Sequence, residues 1–410
     1  MKRRDFLIQS GIFSASAITA IGSNAWVAKS STQNSKQQRL IVIFLRGAVD
    51  GLNVVVPYSE TAYYQARPQI AIPQPGKNGG VLDLDGRFGL HPVLAPLMPF
   101  WQQGSLAFVH ACGSPDPTRS HFDAQQYIES ATPGEKRTQD GWMNRLLGVI
   151  SNKTPIQAVS LGETIPLIFS GRMAVANLAR GKNASKPLSI DHPQVGAAFD
   201  QLYSGNDALS QTYRQGRMAR QALMSNLDSE MAMANNGAPL PSGFTSDAQR
   251  LAQLMVKDPR IELGFVALGG WDTHVNQGGT QGQLAQNLGK LGEGLTALVK
   301  GLGPVYQNTA IIVMSEFGRT VQQNSSGGTD HGHGNVMWVL GGQVRGGKVY
   351  GEWPGLSTAQ LYQSRDLAIA TDFRDVISAV LERHLHLNQA KLNLVLPNYT
   401  PTQKVVLIMK

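Results

Sequence analysis

The chain has 410 residues, a formal charge of +8, 16% charged and 42% hydrophobic residues, and a single cysteine, Cys112. One cysteine excludes an intramolecular disulfide, so the fold must hold through its core, and a chain this long buries about three quarters of its surface as one large domain or two. No Lys/Arg run stands beyond the amino terminus, which excludes the charge stripe of a nucleic-acid binder; the basic balance suits an anionic small molecule or a cell-envelope polymer.

The amino terminus reads Lys2-Arg3-Arg4-Asp5-Phe6-Leu7. Paired arginines followed after one residue by Phe-Leu are the pattern of a signal peptide handled by the twin-arginine translocase. The apolar stretch over 6–21 is diluted by Gln9, Ser10, Ser14 and Ser16, too polar for a permanent membrane span. Ser23-Asn24-Ala25 offers the small residues that cleavage near Ala25 requires. The expectation is an exported, periplasmic protein whose charge falls to +6 when Lys2, Arg3, Arg4 and Asp5 are removed. Because this route carries folded chains, often with a metal already inserted, it favours a metal in the mature protein. Residues 26–38 are polar and low in complexity, suiting a linker, and 39–410 form the α/β domain.

Structure is expected from Leu40, where the apolar, β-branched run 40–45 reads as a strand buried on both faces of a parallel sheet. Further strands are expected at 106–110, 156–161, 263–268, 309–314 and 336–340. Helical patterns fall between them, at 92–103, 120–131, 142–149, 281–300 and 374–385. This alternation predicts a mostly parallel central sheet with helices on both faces. The stretch at about 208–257 breaks the rhythm: Ala219, Leu223, Leu227 and Met231 share one helical face, Asn235 to Pro241 interrupts, and a second helix follows from Asp247. It reads as an inserted helical region whose methionines serve packing.

In open α/β sheets ligands bind beyond the carboxyl ends of the strands, so the loops after the strands hold the candidate chemistry. Asp50 follows the first strand and suits either a turn or a ligand. Asp272-Thr273-His274 places a carboxylate and an imidazole on alternate residues, which point the same way in an extended segment and can share one ion. His331 and His333 repeat that spacing among glycines, as ligands or as an exposed loop. Glu316 is a ligand or the ion-pair partner of Arg319. Ser120 precedes a helix with Asp123 three residues on, so its hydroxyl caps the helix or serves as a nucleophile among amide donors. Arg46, Arg119 and Arg319 each stand in one of these loops, and their convergence would favour a tetrahedral anion.

Taken together, 45–52 (Leu-Arg-Gly-Ala-Val-Asp-Gly-Leu), 117–123 (Pro-Thr-Arg-Ser-His-Phe-Asp), 269–274 (Gly-Gly-Trp-Asp-Thr-His) and 315–320 (Ser-Glu-Phe-Gly-Arg-Thr) resemble an uncharacterised bacterial family of twin-arginine-exported proteins grouped with the alkaline phosphatase and sulfatase superfamily. The resemblance spans roughly 40–390. It implies an alkaline-phosphatase-like fold and a divalent metal, Zn, Mn, Mg or Ca, at the carboxyl edge of the sheet. By position, Asp50, Asp272, His274, Glu316 and one of His331 or His333 would be ligands. Ser120 or Thr118 would be the nucleophile, with Arg119 on the leaving oxyanion and Arg46, Arg319 and His121 toward substrate. The implied activity is hydrolysis of phosphate or sulfate esters. Two departures stand out. Glu316-Phe317 replaces the Asp-His of the phosphatases, removing an imidazole from a second metal. Pro115 occupies the Cys/Ser position of the sulfatase signature, with Cys112 three residues too early, so formylglycine cannot form. The rival readings are a non-catalytic metal- or anion-binding envelope protein and a secretion or assembly accessory.

Overall fold

A computed structural model describes residues 37–150, 157–178, 234–402, 405 and 408–410. The expected signal peptide, the expected linker up to residue 36 and the 208–233 part of the expected insertion lie outside them. Among the described residues no helix is long and apolar enough to cross a membrane.

Among the described residues twelve strands form in chain order: β1 Arg39–Leu45, β2 Val55–Val56, β3 Leu82–Asp83, β4 Gly89–Leu90, β5 Leu106–Gly113, β6 Ala158–Leu161, β7 Ala176–Leu178, β8 Leu263–Leu268, β9 Thr309–Ser315, β10 Asn335–Gly341, β11 Lys348–Tyr350 and β12 Thr371–Asp372. The central sheet runs β11-β5-β10-β9-β1-β8-β6-β7, with β12 beside β5, while β2, β4 and β3 make a small second sheet. Within the central sheet only β10 is antiparallel to its neighbours, β5 and β9. The architecture is the mostly parallel α/β sheet that the strand–helix alternation implies.

β1 lies at its centre, fully buried, and sends alternate residues to two cores, as a two-faced strand must. Ile41, Ile43 and Leu45 meet the helices α3 (Phe244–Lys257) and α4 (Gln283–Leu302) on one face. Leu40, Val42 and Phe44 meet α2 (Trp142–Ile150), α5 (Phe373–Arg383) and α6 (Gln389–Val395) on the other. The helix expected over 92–103 divides into a 3-10 turn, Pro92–Leu97, and a short α-helix, Met98–Gln102. Pro96 and Pro99 lack the N–H that a continuous helix would use there. The second helix of the inserted region is α3, which starts at Phe244 rather than Asp247.

Because β1, β5, β8 and β9 are mutually parallel and β10 runs against them, the loops after β1, β5, β8 and β9 and the loop before β10 share one edge. The helix α1, His121–Ser130, starts at that edge, with Ser120 as its N-cap.

Candidate metal centre

Asp272 and His274 stand in the loop that follows β8, and their side chains turn to the same point. The gap between them and the first loop closes because Gly47 has no side chain. Its φ is +116°, and a Cβ there would come 2.6 Å from the Asp272 amide nitrogen. The loop before β10 folds back on the one after β9, where Gly332 lies flat on the Arg319 backbone and admits no side chain. His331 is thereby delivered to the same point, and α1 brings His121 from the opposite side.

Three imidazole Nε2 atoms converge there. His331 Nε2 is 2.9 Å from His121 Nε2 and 2.9 Å from His274 Nε2. Asp272 Oδ1 is 3.0 Å from His274 Nε2 and 3.3 Å from His331 Nε2, and its Oδ2 is 3.6 Å from His121 Nε2. One ligand atom from each of His121, Asp272 and His331 falls within 4.8 Å of the others, the spread of a group that can hold a metal ion.

The other ring nitrogens decide what this convergence means. His121 Nδ1 is 2.7 Å from Glu316 Oε1, His274 Nδ1 is 3.1 Å from Asp330 Oδ1, and His331 Nδ1 is 2.9 Å from the Arg119 carbonyl. A carboxylate or carbonyl only accepts, so each Nδ1 carries a proton, and each Nε2 can either hold a second proton toward Asp272 or present a lone pair to a cation at the point where the rings meet. Three facing lone pairs repel unless something positive lies between them. Asp272 Oδ2 is a further donor atom, buried and without a hydrogen-bond partner. The carboxylates Asp272, Glu316 and Asp330 stand against the single guanidinium of Arg319, whose Nη1 is 2.8 Å from Asp272 Oδ1. Those four groups alone carry an excess of negative charge, which favours a cation among them.

The ionisation of these groups points the same way. Burial works against a charged His121, yet the hydrogen bonds to Asp272 and Glu316 outweigh it and raise the imidazole to about 9. Burial also opposes the Asp272 carboxylate, but bonds from His121, His274 and His331 and the charge of Arg319 hold it well below the usual range. Glu316 is lowered despite burial, chiefly by His121. The pocket draws positive charge to itself. Three imidazoles and one carboxylate suit zinc and its transition-metal neighbours better than Mg or Ca, which prefer all-oxygen sites.

Of the residues expected at the ion, the structure brings Asp272, His274 and His331 together and adds His121, expected toward substrate. Glu316 lies behind His121, where it also accepts from the Gly47 amide at 2.8 Å and from Gln125 Nε2 at 3.0 Å. Asp50 does not join them. Its carboxylate takes the fork of buried Arg67 at 2.6 and 3.0 Å and the Gln277 amide at 2.7 Å. His333 stands apart too, stacked on Tyr362 with ring centroids 4.3 Å apart.

Nor do the three arginines converge. Arg46 is closed in a buried ion pair with Glu129 at 2.6 Å, and Arg319 serves Asp272. Arg119 holds Asp366 at 2.6 Å, and Arg365 holds the other oxygen of Asp366 at 2.9 Å while bonding the His331 carbonyl. Two guanidinium groups on one buried carboxylate leave a single positive charge beside His331. Ser120 is exposed at the N-cap of α1, 3.5 Å from the Asp123 amide, and Thr118 Oγ1 accepts from the Ser120 amide at 3.2 Å. Sequence reasoning passed over Asp330, Asp366, Arg365, Arg67 and Gln277 as members of the site. Only Asp330 carried a signal, its place next to His331.

A mostly parallel α/β sheet with three imidazoles and a carboxylate gathered at its carboxyl edge defines the class: an α/β protein with a candidate transition-metal centre. The chain belongs to the family described as "Protein of unknown function (DUF1501)", whose model matches residues 37–396. No curated protein is similar to it in sequence. Among solved structures it is similar to Ps i-CgsB in complex with k-i-k-neocarrahexaose, with 12% identity and a TM-score of 0.41 over 90% of this chain and 75% of that one. It is similar to the lipoteichoic acid synthase LtaP from Listeria monocytogenes, with 8% identity and a TM-score of 0.39 over 93% and 79%. A third is the zinc complex of the C-terminal periplasmic domain of EcEptC from Escherichia coli, with 10% identity and a TM-score of 0.36 over 75% and 74%.

Proposed function

We propose that this protein is an exported, metal-dependent hydrolase of phosphate or sulfate esters. The observation that carries the reading is the set of three Nε2 atoms and the Asp272 Oδ2 without a hydrogen-bond partner, gathered at one point. His121, His274, His331 and Asp272 would hold the cation, and Glu316, Asp330 and the Arg119 carbonyl fix their rings. When bound, a divalent cation supplies Lewis-acid polarisation of an ester oxygen.

The chain's own groups supply the remainder. Ser120, next to His121 at the head of the ten-residue α1, is the nucleophile, and the free amides of the first turn stabilise negative charge at that point. Arg119 and Arg365, tethered by Asp366, hold non-bridging oxygens of the ester and offset the developing charge. The motif at 2–7 supports export through the twin-arginine translocase to the periplasm, with cleavage near Ala25, a linker to residue 38 and one domain over 39–410 carrying an insertion at about 208–257.

A non-catalytic anion- or metal-binding role is favoured by one observation: the Ser120 hydroxyl, among the described residues, meets no base. The deciding measurement is elemental analysis of the exported protein purified without chelators, with phosphate and sulfate ester hydrolysis assayed on the same sample. Near-stoichiometric metal with turnover, abolished in Ser120→Ala, is the expected result. Metal without turnover moves the protein to the binding role, and neither metal nor turnover after reconstitution moves it to an assembly role.

A further inference from the structure

The two loops that carry Asp272, His274, Asp330 and His331 come from different parts of the sheet, and a single side chain between them takes a hydrogen bond from each. Gln277 Oε1 accepts the Thr273 hydroxyl at 2.8 Å and the Thr329 hydroxyl at 2.8 Å. Thr273 stands between Asp272 and His274, and Thr329 immediately precedes Asp330 and His331. The Thr329 amide also donates to the Thr273 carbonyl at 3.1 Å, so the loops are in register where Gln277 spans them. The Gln277 Nε2 donates to Asp50 Oδ2 at 2.7 Å, and Asp50 is clamped by Arg67. Arg67 in turn donates to the carbonyls of Thr320 and Val321 at 2.8 and 2.9 Å, which root the second loop at its other end. Gln277, Thr273, Thr329, Asp50 and Arg67 are all fully buried.

An amide is suited to this place. Its oxygen takes both hydroxyls and its nitrogen meets a carboxylate, whereas an ionised Glu would face Asp50 charge to charge. Both loop hydroxyls are committed as donors to one acceptor, and that acceptor is itself fixed by an ion pair with no exposure to solvent. Such a network has one satisfied arrangement, and that arrangement sets the separation of His274 from His331.

We propose that Gln277 is a positioning residue for the metal centre, and that Asp50, unable to act as a ligand, serves the centre by anchoring Gln277. The proposal rests on the metal reading of the cluster for its functional meaning, but it makes a separate geometric claim. Removing the amide takes away the buried side-chain tie between the two ligand loops, leaving only bonds such as Thr329 N–H to the Thr273 carbonyl, and loosens the spacing of His274 and His331.

The experiment compares wild type with Gln277→Leu, the pair Thr273→Val and Thr329→Val, the conservative pair Thr273→Ser and Thr329→Ser, and Tyr63→Phe. Tyr63 donates to Asn53 within the same buried network, 2.7 Å from its Oδ1, but touches neither ligand loop. Zinc affinity is measured by competition with a chromophoric chelator, and the imidazole nitrogens are followed by 15N NMR without metal. Gln277→Leu and the double Val variant are expected to bind zinc about 10- to 100-fold more weakly, as outer-shell losses do. The Ser pair is expected to bind as wild type does, and Tyr63→Phe to lose stability but not affinity. Unchanged zinc affinity in Gln277→Leu and the double Val variant overturns the proposal and leaves the metal reading standing. If wild type binds no zinc, the metal reading fails, and the NMR arm decides the geometric claim. Shifted His274 and His331 resonances in the double Val variant sustain it, and unshifted ones overturn it.

Discussion

Among the described residues seven histidines are buried or nearly so; apart from His333, stacked on Tyr362, they divide into two groups by what their nitrogens meet. His91, His110 and His384 each turn Nε2 to a main-chain carbonyl, of Gly279, Val55 and Arg39 respectively, at 2.8 to 3.1 Å. In His91 and His110 the Nδ1 accepts a backbone amide, so both nitrogens are satisfied by one neutral ring. Burial therefore lowers all three to about 4, and they stay uncharged. His121, His274 and His331 use Nδ1 as the donor and leave Nε2 facing other Nε2 atoms beside a carboxylate. Comparable burial yields a structural histidine in one group and a cation-seeking one in the other. The difference is made by which nitrogen meets the acceptor.

That contrast can be broken in graded steps. The largest effect is expected from Asp272→Asn, which removes the charged member of the cluster and leaves Arg319 buried without its counter-charge. Metal content should fall close to zero, with a loss of about 3–5 kcal/mol in the metal-free protein. Metal analysis and urea unfolding check both; wild-type stoichiometry would remove Asp272 from the ligand set.

The structural histidines make a prediction in acid. Each has a folded value of about 4 against an ordinary 6.5, so as the pH falls the unfolded chain takes up protons first. Their stabilisation is fully present above pH 6.5 and is lost as the pH falls through 4, at about 3 kcal/mol for each imidazole. Urea midpoints of the metal-free protein at pH 7.5, 6 and 5 should descend steeply, and a flat profile would show that these rings are already charged.

Glu316→Gln sharpens the other side of the comparison. The amide can present its NH2 to His121 Nδ1 and reverse the tautomer, so zinc affinity should fall about 10- to 100-fold while secondary structure is kept. Equal affinity in a competition titration would refute the outer-shell role. The smallest effect is expected from Ser120→Ala. Its cap bond is long, 3.5 Å, so stability should change by no more than about 1 kcal/mol. A larger loss in thermal unfolding would make Ser120 primarily a structural cap.

Much of the framework was legible in the residues. The strand at 263–268 coincides with β8, and the run from Leu40 lies within β1, because an unbroken β-branched stretch leaves few alternatives to a two-faced strand. Asp272, His274 and His331, all in loops at the carboxyl edge, meet there. Position after a strand is not sufficient to bring a residue to the cluster. Asp50 and Arg46 stand in such a loop, but Arg67, 17 positions on, and Glu129, 83 positions on, claim them. Nothing in the local spacing announces those partners.

The sequence by itself determined the alternation of strands and helices, and hence the edge at which chemistry gathers, because those choices depend on neighbours two to four residues away. Only the tertiary structure decided which charged groups gather at the candidate metal centre and which become each other's counter-ions. A buried charge must find an opposite partner or lose its hydration uncompensated, and that partner is chosen by distant segments meeting in space, as Gln277 meets Asp50 across 227 positions.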